Sequence, residues 1–445
     1  PKFAELQQPA SLDFKAIRQR LDENEVLLFF ADTARFADAG FETYLWAVPK
    51  TGEPRWIRLE RSTGELLAAV RELRSLMGVS GEARGAASLA ARRGTDPAGR
   101  VLTAAHELYD ATLAPVADMI DGRDLVIVPS KRLASLPFHL LVSERPAAES
   151  SDRYRDAGWL ARDHAITVLP SVGALRVVAS AAPRPGSNPY LGFANPLLTG
   201  NNGSDTRAFG RETCRDRAPL QTAALAETAP DVSILFRGAL ADVSAVRGLE
   251  PLPETADEAC AIAATLGAGA DSVRLGEKAT ETEIKRLSAS GETARARILH
   301  FATHGLVSGD LEGLAEPAIV MTPPEKASTE DDGLLTAWEV AGLKLDGDWV
   351  ILSACNTAAG ESGGEALSGL ARAFFYAGAR SLMVSHWPVA SDAAVRLATG
   401  AIAEMAGDGR LSRAEALRRA MVEEIRAGGH RADPANWAPF IVVGG

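Results

Sequence analysis

Two short apolar runs in this chain each deliver a reactive side chain. Arg297-Ile298-Leu299-His300-Phe301-Ala302-Thr303 leads into His304-Gly305, and Trp349-Val350-Ile351-Leu352-Ser353-Ala354 leads into Cys355-Asn356. A thiol is a weak nucleophile until a nearby imidazole removes or shares its proton, so a Cys–His pair is a device for covalent attack on a carbonyl. Gly305 has no Cβ to obstruct a substrate carbonyl, and its N–H with that of Cys355 could form an oxyanion hole. The segment 360–364, Gly-Glu-Ser-Gly-Gly, is flexible enough to act as a substrate-responsive loop.

Other assignments stand beside the dyad. A Cys ending a buried strand is often a small core hydrophobe, and a His after a strand is often a hydrogen-bonded structural residue. On spacing and placement alone, both readings stay open. Ser362 satisfies the G-x-S-x-G pattern, but the apolar run stops at Leu352, whereas a nucleophile elbow needs the serine directly on a strand-to-helix turn. A zinc site from His300, His304, His386 and Cys355 matches no ligand spacing, so neither metal nor cofactor is expected. A catalytically silent binding module fits the same residues.

The elements around the runs decide whether they meet. In open α/β sheets ligands bind beyond the carboxyl ends of strands. A helix signal over residues 334–343 separates the two runs, so a strand–helix–strand crossover would bring His304 and Cys355 to one edge. Further strand runs are read at 318–321, 381–384 and 440–443, and with the intervening helices they indicate a mostly parallel sheet covered on both faces. Three pairs read as capping boxes: Thr255 with Glu258, Thr280 with Glu283, and Ser412 with Glu415. Upstream, strands at 26–30, 43–48, 55–59, 125–128 and 165–169 alternate with helices at 64–77 and 101–120, and 79–100 reads as a flexible excursion. Residues 183–253 are dominated by Pro, Gly, Asn, Asp and Ser. The expected organisation is an N-terminal α/β lobe over 1–182, a linker or insertion over 183–253, and a catalytic lobe over 254–445.

Composition narrows the partners. A formal charge of −11 disfavours adhesion to nucleic acid or an anionic membrane, and no run of eighteen apolar residues or signal-peptide pattern occurs. Protein or small-molecule partners are expected instead. Cys214, Cys260 and Cys355 are far apart and odd in number, which argues for free thiols in a reducing cytoplasm over a disulfide framework. The chain begins with Pro1, so upstream sequence is expected.

The motifs in series resemble the CHAT-domain family of caspase-like cysteine proteases. These are His300-Phe301-Ala302-Thr303-His304-Gly305, Leu352-Ser353-Ala354-Cys355-Asn356, Gly364-Glu365-Ala366-Leu367-Ser368-Gly369-Leu370, and Ser385-His386-Trp387-Pro388-Val389. Residues 125–129, 136–138, 165–171 and 437–442 extend the likeness, so it runs from about residue 100 to the end. The interval 355 − 304 = 51 also matches the caspase spacing of about fifty.

This resemblance implies a cysteine endopeptidase with His304 and Cys355 as dyad and the backbone of Gly305 and Cys355 as oxyanion hole. It places a substrate-binding loop at Trp387 and Val389, with Asp392 as a further candidate; equally, Ser391 could cap a helix whose dipole Asp392 favours. Many members carry an acidic residue near Ser391, and Ser353, two residues before the cysteine, supplies no charge, so the sequence leaves the P1 preference undefined. It further implies bacterial signalling or defence, activation by a partner or ligand, upstream tetratricopeptide repeats, and a companion protein substrate such as a pore-forming protein. The first lobe reads as a degenerate caspase-like half, and the alternative function is a caspase-like interaction scaffold.

Overall fold

The computed structural model describes residues 13–34, 41–79, 96–146, 150–175, 188–200, 202–215, 236–237, 240–306, 316–353, 369–387 and 389–444. Cys355 and the glycine-rich stretch 360–364 lie outside these residues. The chain forms two compact units. One comprises Pro1–Ala181, Ser362–Ala366 and Arg410–Gly445; the other comprises Ala182–Glu361 and Leu367–Gly409.

The first unit opens with β1 (Glu25–Ala34), β2 (Phe41–Pro49) and β3 (Arg55–Arg58), then α1 (Thr63–Leu76) and α2 (Pro97–Thr112). It continues through β4 (Asp124–Val128), a small antiparallel pair of β5 (Val142–Glu144) and β6 (Gly158–Trp159), and β7 (Ile166–Val168). The β2–β3 turn contains Gly52 at φ 97°, a left-handed conformation that glycine adopts without strain. Ser62 and Glu65 close a reciprocal capping box on α1. β1 and β4 pair in parallel, as do β4 and β7, while β1–β2–β3 is antiparallel. Leu125, Val126, Ile127 and Val128 of β4 are all buried, the continuous apolar run of a strand covered on both faces.

The second unit begins with β8 (Asn188–Ala194), a short pair of β9 (Phe236–Arg237) and β10 (Leu240–Ala241), and α3 (Glu254–Thr265). Next come β11 (Val273–Leu275), α4 (Glu281–Ala289), β12 (Ala296–Ala302), and the antiparallel strands β13 (Gly305–Leu306), β14 (Ala318–Val320) and β15 (Leu334–Thr336). Then α5 (Ala337–Gly342), β16 (Trp349–Leu352), α6 (Gly369–Ala377), β17 (Ser381–Ser385) and α7 (Ser391–Gly407) complete it. The chain returns to the first unit as α8 (Arg413–Ala427) and β18 (Phe440–Gly444), which pairs in parallel with β7.

The sheet of the second unit is wholly parallel, in the order β11-β8-β12-β16-β17. Where composition suggested a linker over 183–253, Asn188–Ala194 is an inner strand between β11 and β12, its Tyr190, Leu191 and Phe193 buried. The 318–321 run sits in the small antiparallel sheet instead of the parallel one, because three fully buried apolar residues carry no periodicity that separates the two pairings.

The cysteine expectation is corrected. Cys214 and Cys260 form a disulfide, with Cα atoms 5.4 Å apart. Composition could not show that the segment before Cys214 folds back on α3. Arg211 forms an ion pair with Asp257 there, and Asn195 Nδ2 donates to the carbonyls of Ala208 and Arg211 at 2.8 and 3.0 Å. Among the described residues no helix is long and apolar enough to cross a membrane.

Candidate functional site

From β8 the chain winds outward to β11, whereas β12 lies on the other side of β8 and leads on to β16 and β17. The direction of winding therefore reverses between β8 and β12, and in open α/β sheets ligands bind beyond the carboxyl ends of strands at such a reversal. His304 follows β12 at that point.

β12 and β16 are neighbours in parallel register, the last pair being Phe301 with Leu352. The Ser353 N–H donates to the Phe301 carbonyl at 3.0 Å, extending the ladder by one residue. His304 lies three residues past Phe301 and Cys355 three past Leu352, so the two stand at equal chain distance from one registered pair.

His304 is held from two sides. Thr303 Oγ1 donates to the Val320 carbonyl at 2.8 Å, and the Val320 N–H donates to the His304 carbonyl at 2.9 Å. The ring is fixed by Nε2–H donating to the Glu250 backbone carbonyl at 2.7 Å, since a carbonyl can only accept. That bond leaves Nδ1 with the lone pair, as a base requires. A buried apolar cluster of Leu198, Ala241, Val246, Leu249, Leu306, Ala318, Val320 and Leu334 carries the Glu250 segment against β13–β15. Burial around the ring lowers the His304 imidazole below its ordinary value; the bond to Glu250 and the charges of Glu254 and Glu250 oppose the shift without cancelling it. The shift favours the neutral form of the imidazole.

Gly305 pairs with Ile319. Because the hydrogen-bonded contact falls at His304 and Val320, Gly305 occupies a non-hydrogen-bonded position and its N–H is not spent on β14.

Ser353, expected near substrate, points inward. Its Oγ–H donates to Glu258 Oε1 at 2.6 Å, and the same oxygen lies 3.1 Å from His300 Nε2. His300 Nδ1 meets the Tyr190 hydroxyl at 2.8 Å. Burial, with the Glu258 charge adding to it, raises Tyr190 well above the usual phenol value, so its hydroxyl remains a donor. Glu258 therefore does not close a capping box with Thr255: Pro253 occupies the N-cap position of α3, and Thr255 Oγ1 donates to the Leu252 carbonyl while accepting from the Asn195 N–H. Thr280 and Ser412 do cap α4 and α8, accepting from the N–H groups of Glu283 and Glu415.

Trp387 is fully buried beside His386, so any influence on a pocket is exerted from beneath its surface. Val389 is half-buried in the connection from β17 to α7. Asp392 is exposed in the first turn of α7 and pairs with Arg396 at 2.7 Å. Ser391 is not the cap of α7; Ala390 holds that position without a side-chain bond. Sequence reasoning missed the Glu250 carbonyl, which no side-chain pattern could reveal, and the partnership of Glu258 and Tyr190 with His300. A buried histidine inside an apolar strand was the available signal, because it must find partners.

A family model described as the CHAT domain matches residues 102–445. Tetratricopeptide repeat protein 28 of Mus musculus is 27% identical over 228 residues, covering 44% of this chain and 9% of the relative. Its Homo sapiens counterpart is 26% identical over 228 residues, again covering 44% of this chain and 8% of the relative. The chain thus spans less than a tenth of these curated relatives. Among solved structures, separase in the Saccharomyces cerevisiae separase–securin complex superposes with a TM-score of 0.52 at 10% identity, covering 96% of this chain and 30% of that one. The likeness is one of fold: a large, mostly parallel, caspase-like sheet flanked by helices.

Proposed function

Because the chain belongs to the CHAT-domain family, we propose that it is a cysteine endopeptidase in which His304 is the base and Cys355 the nucleophile. The observation that carries this reading is the pairing of β12 with β16 in register, together with the Glu250 carbonyl that holds His304 in the tautomer a base needs. His304 Nδ1 takes the thiol proton, and the thiolate attacks the peptide carbonyl. The N–H groups of Gly305 and Cys355 stabilise the oxyanion. His304 then gives the proton to the leaving amine, and water, deprotonated by the same imidazole, releases the acyl group.

The substrate is a partner protein, cut in a regulated bacterial signalling or defence setting. Tetratricopeptide repeats in the names of the curated relatives support a protein partner upstream or in trans.

An electrophilic peptide probe tests the dyad. Labelling should vanish in Cys355→Ala and persist in Cys214→Ala, whose native residue is disulfide-bonded. His304→Ala should abolish cleavage with folding intact. Loss of activity in His300→Ala but not in His304→Ala would overturn the assignment of the base, and labelling that survives Cys355→Ala would overturn the nucleophile.

A further inference from the structure

Behind the two strand ends lies a polar cluster that the chemistry does not use. Glu258 is 1% exposed and His300 0%, so a carboxylate and an imidazole are both withdrawn from water. Burying such groups is costly unless each finds partners. Here His300 and Ser353 converge on one carboxylate oxygen of Glu258, and Tyr190 backs the far side of the His300 ring. The Tyr190 hydroxyl meets His300 Nδ1 at 2.8 Å, His300 Nε2 lies 3.1 Å from both Glu258 Oε1 and Ser353 Oγ, and Ser353 Oγ–H donates to Glu258 Oε1 at 2.6 Å.

The placement has a direct consequence for the proposed dyad. His300 is on β12, four residues before His304, and Ser353 immediately follows β16, two residues before Cys355. Glu258 comes from α3, whose Thr255 also receives the Asn195 N–H at the end of β8. One carboxylate thus ties one helix to both strands that lead to the dyad. A pair of apolar residues at these positions would pack as well but without directional bonds, whereas hydrogen bonds to a carboxylate fix orientation beyond what the backbone ladder sets.

We propose that Glu258 is a positioning residue, acting through Ser353 and His300 to set the aim of Cys355 and His304. This inference rests on the dyad reading. The variants are Ser353→Ala, Glu258→Ala, Glu258→Gln and the double variant Ser353→Ala/Glu258→Ala. Active sites are titrated with the electrophilic peptide probe, and kcat and KM are expressed per titrated site.

Ser353→Ala and Glu258→Ala should each lower kcat per site by about 10- to 100-fold, the range expected of a displacement approaching 1 Å, with KM changed by less than about three-fold. Glu258→Gln, which keeps an acceptor oxygen, should retain more of kcat than Glu258→Ala. The double variant should be no slower than the slower single one, since both cut the same tie. Should Glu258→Ala fail to fold, Ser353→Ala, a loss of one oxygen at a part-exposed site, decides alone. A fall confined to the titratable fraction, with kcat per site unchanged, would make the cluster merely structural and overturn the inference; so would effects that multiply. A wild-type chain without Cys355-dependent labelling would overturn the dyad reading, and this inference with it.

Discussion

His139 makes stability sensitive to acid, and by an amount that can be worked out. It sits in the turn Phe138–Leu140 after β4, 1% exposed, and among the described residues neither ring nitrogen has a hydrogen-bond partner. Burial pushes its imidazole down from 6.5 to about 4. With the folded value below the unfolded one, the unfolded chain binds more protons between them, so stability falls as pH drops below about 6.5 and the loss is complete below about 4. The gap, 6.5 − 4, corresponds to about 3 kcal/mol at 1.36 kcal/mol per unit, and about 2 kcal/mol of it is lost between pH 7 and pH 5. His139→Leu removes the titration and fills the site with apolar volume. It should also stabilise the fold at pH 7 by about 1 kcal/mol or more, because unpaired buried nitrogens disappear. Urea unfolding followed by tryptophan fluorescence at pH 7 and pH 5 measures both. Wild type should lose about 2 kcal/mol more than His139→Leu over that interval. Equal losses would mean that His139 charges freely in the folded chain, and the reasoning would fail.

Three further outcomes follow from particular contacts. Thiol titration of the unfolded, unreduced chain should find one free thiol, and Cys214→Ser should cost about 4 kcal/mol, the chain-entropy value for a 46-residue separation; three free thiols would refute the pairing. Gly378 has φ 113°, and a Cβ there would sit 2.1 Å from the Leu345 carbonyl oxygen, so Gly378→Ala should lower the melting temperature by several degrees, equivalent to about 2 kcal/mol or more, and an unchanged melting temperature would contradict the local geometry. The acid limb of kcat/KM should fall at a pH below 6.5, because the base works only when neutral and desolvation keeps His304 neutral further into acid; a midpoint above 6.5 would oppose its assignment.

Much of the architecture was legible in the chain. The run Trp349–Leu352 and the run Ile298–Phe301, apolar but for His300, read as buried strands because a strand covered on both faces shows no polar alternation. A helix between them implied the parallel pairing observed. What misled was local chemistry with two uses. Thr255 and Glu258 have the spacing of a capping box, yet a carboxylate one turn into a helix can equally reach across to a sheet, and His300 with Ser353 offered more donors than the helix end did. Likewise a segment rich in Gly, Pro and Asn hid the inner strand Asn188–Ala194, whose place is set by two neighbours distant in sequence.

Sequence alone determined the family and the adjacency of the strands β12 and β16, since each rests on patterns of a few consecutive residues. Only the tertiary structure decided that the Glu250 carbonyl orients His304, that Glu258 joins both strands, and that Cys214 meets Cys260. Those contacts join residues 42 to 95 positions apart, and some use backbone atoms that every residue shares, so no local pattern of side chains encodes them.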